Sequence, residues 1–225
     1  MKDLILLHGA LGASKEFDAL IPFLENDFKV YRFDFIGHGQ NTDTTLFSME
    51  NFARQLKQFI EDRQLEKPQI FGYSMGGYVA YTLAIKSPDL IGDIMSLGTK
   101  LKWDPLTAKA ETAKLNPNKI TEKVPKFGQY LDSIHLSWHE NMRKTVELMN
   151  NLGNGDALSF EDFGKIKNKC FIGIGDMDEM VSCSETIDIS KALPNSIYYK
   201  LLNSRHPLPQ IEMKKLAGKI KNYLK

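Results

Sequence analysis

A chain of 225 residues with 42% hydrophobic and 25% charged residues has the make-up of a soluble globular domain, long enough to bury a substantial core. Its 29 Lys and Arg against 28 Asp and Glu leave a formal charge of +1, so no global field draws it to nucleic acid or to an anionic membrane. The two cysteines, Cys170 and Cys183, are too few for a disulfide framework or a zinc site and read as small hydrophobes, buried or half-buried.

In chain order, MKDLILLHGALGAS has a short apolar core bounded by Asp3 and His8, and nothing in the chain approaches a membrane-spanning length. A cytoplasmic protein without a targeting segment is the expectation. Runs rich in β-branched and aromatic residues predict strands at 3–7, 29–33, 69–72, 93–97, 169–174 and 196–202. Helical patterns fall between them. The clearest covers 48–62, where Met49, Phe52, Ala53, Leu56, Phe59 and Ile60 share one face and Ser48 stands as N-cap. This alternation predicts an α/β fold with a mostly parallel sheet, helices on both faces and functional groups at the carboxyl ends of the strands.

Between 100 and 165 no strand is predicted, only helical stretches near 106–115, 124–137 and 141–152. Such an insertion is too short for much core of its own and is expected to be a helical lid over a site. The chain then forms a single domain, 1–225, with its core at 1–99 and 166–225. The first part of the lid carries Lys100, Lys102, Lys109, Lys114, Lys119, Lys123 and Lys126 against Asp104, Glu111 and Glu122. That excess reads as a solvated helix face, or else as steering for a substrate with an anionic tail.

The chemistry is concentrated in Gly72-Tyr73-Ser74-Met75-Gly76, a G-x-S-x-G run preceded by a strand pattern and followed by the helical GGYVAYTLAIK. A sharp turn there strains Ser74, lifts its Oγ above the sheet and requires small neighbours two residues away on each side. It also aims the start of the next helix, including the Met75 amide, at the place where negative charge would develop on a substrate oxygen.

With these motifs the chain resembles the serine hydrolases of the α/β-hydrolase fold, nearly end to end. By that likeness His8-Gly9-Ala10-Leu11-Gly12 is the oxyanion loop, the Ala10 amide is the second oxyanion donor beside Met75, and His8 is a structural residue. Asp34-Phe35-Ile36-Gly37-His38-Gly39 matches the family's D-x-x-G-H-G turn, whose Asp and His are architectural. The resemblance implies His206, after the last strand, as the catalytic histidine. It also implies Asp178 as the triad acid, through the G-x-x-D-x-x-V register of 175–181, with Asp176 a loop-capping residue. His135 and His139 stand at i, i+4, but HLSWH lacks the glutamate of a zinc motif, so lid surface or pocket lining is expected of them. Relatives usually carry one or two strands before the oxyanion loop, so the sheet is expected to be trimmed at that edge.

The reading is a Ser-His-Asp hydrolase acting on a small or medium carboxylic ester or thioester through an acyl-enzyme, with a small-molecule substrate and no metal or organic cofactor implied. Leu11, Tyr73, Trp103 and Trp138 are the expected pocket lining; Phe127, Tyr130 and Met142 are further large lid side chains, and most of the large lid side chains should pack the lid helices against the sheet, with only a few facing a pocket. A serine nucleophile excludes the haloalkane dehalogenase and epoxide hydrolase branches, which use aspartate. Two alternatives stay open: a small-molecule receptor or signalling partner on the same fold, and a lyase or carbon–carbon hydrolase using the same triad.

Overall fold

The computed structural model describes residues 1–43 and 45–225. Six strands form one sheet: β1 (Lys2–Leu7), β2 (Phe28–Arg32), β3 (Gln69–Tyr73), β4 (Ile94–Leu97), β5 (Cys170–Gly175) and β6 (Ser196–Leu201). Their spatial order is β2-β1-β3-β4-β5-β6, and every pair is parallel. Each lies within one residue of its predicted bounds. Beyond β2 no further strand is present among the described residues, so the edge is trimmed as expected.

Side chains alternate across this sheet and fill two cores. Ile5, Leu7, Ile70, Ile94 and Ile172 face one, with α1 (Met49–Asp62), α2 (Met75–Lys86) and α8 (Cys183–Ala192). Leu4, Leu6, Phe71, Met95 and Phe171 face the other, with α9 (Met213–Leu224). Burial on both faces is why the strands read as continuous apolar runs instead of strict alternations. Helix α1 buries the six residues expected from its periodicity, and the Ser48 hydroxyl accepts from the Asn51 amide at 3.0 Å.

The segment between β4 and β5 is helical, but cut differently from the prediction. It holds α3 (Pro105–Thr112), α4 (Pro117–Lys123), α5 (Pro125–Ile134), α6 (Trp138–Asn151) and α7 (Phe160–Gly164). Three of these open on proline, which lacks the N–H that a first turn leaves unpaired in any case. Asp104 and Asn116 cap the first two by accepting from the Thr107 and Lys119 amides at 2.7 and 3.0 Å. The expected stretch 124–137 stops at Ile134, because His135 turns extended at φ −122°. No helix among the described residues is long and apolar enough to cross a membrane.

Chain direction places the site. From β1 the chain winds outward to β2, then returns past β1 to β3, so the connections after β1 and β3 leave in opposite senses. Leu7 and Gly72 are register partners, and the two strands therefore end side by side. A crevice opens between their loops.

Candidate active site

Ser74 sits in that crevice between β3 and α2, with φ 51° and ψ −117°, a strained conformation for a residue with a side chain. The strain is held from several sides. The Ser74 amide donates to Leu97 O at 2.9 Å, and its carbonyl accepts from Thr99 Oγ1 at 2.9 Å and from Gly77 N at 3.0 Å. A Cβ on Gly72 would strike the Gly77 backbone, and one on Gly76 would strike the Leu7 carbonyl. Only glycine lets α2 come this close to β1 and β3.

His206, in the loop after β6, brings Nε2 to 3.3 Å from Ser74 Oγ, while its Nδ1 lies 2.8 Å from Asp178 Oδ2. Because a carboxylate only accepts, the proton belongs on Nδ1 and Nε2 is left free to take one from the serine hydroxyl. The Asp178 side chain is 2% exposed, and its other oxygen accepts from the Met180 and Val181 amides at 2.8 and 2.9 Å. Burial acts to raise this carboxyl, but its bond and charge interaction with His206, together with the two amides, outweigh burial and hold it below the usual carboxylate range. Asp176 takes no part in that contact; it accepts from the Ser204 amide at 3.1 Å and ties the β5 and β6 loops together.

Ala10 and Met75 flank Ser74. As the first residue of α2, Met75 has no intrahelical acceptor for its N–H, and the Ala10 N–H has no hydrogen-bond partner among the described residues. The loop that carries Ala10 is strained at Leu11, φ 56°, and is held by Gly12 N donating to Gly9 O at 3.1 Å. His8 is wholly buried: Nδ1–H donates to Gly9 O at 2.8 Å and Nε2 accepts from Phe35 N at 3.1 Å. Burial lowers its pKa to about 4, so it stays neutral as a tie between the β1 and β2 loops. Asp34 accepts from the Ser14 and Gln40 amides, an architectural arrangement, and His38 is buried against Phe47.

A cavity of about 900 Å³ opens beside Ser74 and His206. Leu11 and Tyr73 line it, and the Tyr73 hydroxyl donates to the His206 carbonyl. The segment after β4 supplies another wall through Leu115, Phe127, Tyr130 and Met149. Trp103 lines a second, smaller recess that also borders Ser74. Trp138 lines neither. It is 3% exposed within a cluster with Ile120, Leu131 and Met142, and its indole N–H donates to Asp132 Oδ1 at 2.7 Å. As the first residue of α6 it faces the interior of the helical segment, which corrects the expectation that it meets a ligand.

His135 also departs from expectation, being neither lid surface nor pocket lining. It is buried, accepts from Gly39 N through Nδ1 at 2.8 Å, and donates through Nε2 to Leu11 O at 2.9 Å. His139 is exposed and stacks on Trp138. Sequence reasoning missed Glu16, whose carboxylate lines the cavity and accepts from Ala13 N at 3.1 Å and from Tyr130 Oη–H at 2.6 Å. Burial raises its pKa in spite of those two bonds. The only sequence signal was an acid just past the glycine-rich turn.

The α/β-hydrolase fold profile matches residues 3–142, well over half of the sequence. The chain belongs to the α/β-hydrolase fold family. The matched span includes Ala10 and Ser74 and ends before Asp178 and His206. Across 99% of its length this family member is 21% identical to the uncharacterized hydrolase YugF of Bacillus subtilis, covering 89% of that protein. A shorter stretch, 41% of the chain, is 31% identical to 35% of the pimeloyl-[acyl-carrier protein] methyl ester esterase of Nitrosomonas europaea. Among solved structures, a thermophilic esterase from Thermogutta terrifontis superposes with a TM-score of 0.82 at 18% identity, covering 100% of this chain and 89% of that one. At that identity the likeness speaks for the fold.

Proposed function

We propose that this protein is a serine hydrolase that cleaves a carboxylic ester or thioester of small or medium size through an acyl-enzyme. The observation that carries the reading is the unbroken contact from Asp178 through His206 to Ser74, at the mouth of a cavity of about 900 Å³. Ser74 Oγ attacks the acyl carbon as His206 Nε2 takes its proton. The oxygen of the tetrahedral intermediate gathers negative charge and is held by the Ala10 and Met75 amides, aided by the amino-terminal end of α2. Collapse breaks the bond to the leaving group, which receives the proton from His206. Water, deprotonated in turn by Nε2, then adds to the acyl carbon and releases the acid and free Ser74. Asp178 holds the imidazole in the required tautomer and steadies the imidazolium that forms in each half.

The helices of 100–165, which line one wall of the cavity, act in this reading as the lid that shapes the substrate space. The relatives with hydrolase and esterase names support the same class of reaction. A fluorophosphonate probe should label Ser74, and Ser74→Ala should abolish both labelling and ester turnover. Labelling that survives the substitution places the nucleophile elsewhere. An unlabelled Ser74 with intact ligand binding favours a receptor on the same fold.

A further inference from the structure

Ser74 borders two spaces of very different size. One is the cavity of about 900 Å³; the other is a recess of about 40 Å³ against α2 and α6. Ala10, Met149 and Met180 border both spaces, but His206 reaches only the larger and Met75 only the smaller. We propose that the recess is the acyl pocket and restricts the protein to esters or thioesters of short uncharged acids, with the bulk of the substrate in the leaving group. This rests on the serine-hydrolase reading and adds to it the division of the substrate between the two spaces.

The division follows from where protons must go. Besides Ser74 Oγ, the acyl carbon of the tetrahedral intermediate carries an oxygen, a leaving group and the acyl substituent. The oxygen faces the Ala10 and Met75 amides. The leaving group departs with a proton from His206 Nε2, so it lies on the histidine side, in the large cavity. The acyl substituent is then left to the other space that borders Ser74, the recess. A water's share of liquid volume is about 30 Å³, so 40 Å³ holds roughly one or two non-hydrogen atoms beyond the acyl carbon. Acetyl and propionyl groups fit.

The walls argue for an uncharged acyl group and against easy expansion. Tyr78, Thr145, Leu148 and Leu152 are each less than 5% exposed, so their positions are fixed by packing on the far side. The polar groups here already make bonds within the protein. Tyr78 Oη accepts from Leu158 N at 2.6 Å, Thr145 Oγ1 donates to Asn141 O at 2.8 Å, and the Trp103 indole donates to Lys100 O at 3.2 Å. Lys100, the one cation bordering the recess among the described residues, pairs with Glu185 at 3.5 Å. A carboxylate on the acyl group would therefore be buried beside no unpaired cation.

The experiment is a pair of ester series on the intact protein, run beside the fluorophosphonate probe. With p-nitrophenol as constant leaving group, kcat/KM should be highest for acetyl or propionyl and fall at least about tenfold by hexanoyl, as expected when added methylenes do not fit a pocket. With acetate as constant acid, lengthening the alcohol from ethyl to octyl should leave kcat/KM unchanged or raise it. Leu148→Ala and Leu152→Ala, made separately so that either suffices if the other fails to fold, should each raise the hexanoyl-to-acetyl ratio about tenfold or more. Hexanoyl esters cleaved as well as acetyl esters by a protein labelled at Ser74 would overturn the pocket assignment and leave the serine-hydrolase reading intact. The same follows if Ser74 is labelled but no acetate ester is turned over. Absence of labelling at Ser74 would overturn both.

Discussion

Asp178 and Asp176 lie on one loop two residues apart, and their bonds separate them. Asp178 touches His206 and two amides, whereas Asp176 accepts from Ser204 N alone. In Asp178→Asn the amide oxygen can still accept from the loop amides, but the imidazole loses its proton acceptor, so kcat should fall by up to about 10⁴ with little change in melting temperature. Asp176→Asn should do the reverse, costing about 1 kcal/mol or less and leaving turnover nearly intact. Kinetics and melting curves of the two variants check this; a dead Asp176 variant would reassign the acid. Glu16 makes a different prediction, through pH. Burial raises its folded pKa above the unfolded value, so the stability linked to its protonated form is complete below the unfolded pKa and is lost as pH rises through the folded one. Glu16→Gln keeps a neutral partner for Tyr130, and its melting temperature relative to the parent protein should climb from pH 4 to pH 8. A difference that stays flat across that range would mean Glu16 is no more strained when ionised than in the unfolded chain. These residues also show what a sequence carries at this scale. Ser74 was legible because its strain demands glycines at 72 and 76, a local requirement written in adjacent letters. Glu16 was not, because its burial depends on Tyr130, 114 positions away.

Among the elements, the strands were legible to within a residue because both faces of the sheet are buried, and Val, Ile and Phe in short runs have few other places to go. The helices after β4 were harder to divide. Pro117 and Pro125 each begin a new helix, and the chain between α5 and α6 is set by a tertiary contact, with His135 turned inward to Leu11 and Gly39. No periodicity records such a contact. His135 joins the helical segment to the loop that presents the Ala10 amide, one residue before Leu11. His135→Ala leaves Gly39 N buried and Leu11 O half-buried without these partners and should cost about 1–3 kcal/mol, a fall of roughly 3–10 °C in melting temperature. On the proposed mechanism its kcat should drop more than its KM rises, since the disturbed loop carries the amide proposed to hold the developing oxyanion. His139→Ala, which removes only an exposed ring stacked on Trp138, should change stability by no more than about 0.5 kcal/mol. Equal effects of the two substitutions would contradict this division.

For the molecule as a whole, the sequence pattern pointed to the strands' carboxyl ends, where the candidate site lies, and the reversal of winding between β1 and β3 is what opens the crevice there. The lysine excess of the helical segment was harder to read, because charge is balanced in space and not along the chain. Seven lysines against three acids leave an excess of four, and Lys100 and Lys102 pair with Glu185 and Asp188 of α8, which neutralises half of it; Lys114 pairs with Glu111 inside the segment. Charges paired in this way do not sum to a steering field. We therefore expect kcat/KM for an anionic ester to match that of its neutral analogue within about threefold and to change little between low and high salt. A strong preference for the anionic ester that fades with salt would restore steering. The central claim is that Ser74 carries the acyl group, and rapid acid quench tests it most directly. The protein is mixed with saturating p-nitrophenyl acetate, quenched within the first turnovers, digested, and read by peptide mass spectrometry. The account predicts one acetyl group on Ser74 in the parent protein and none in Ser74→Ala. Turnover with no acyl group on Ser74, as when the serine serves only as a base, or an acyl group found on another residue, would contradict it.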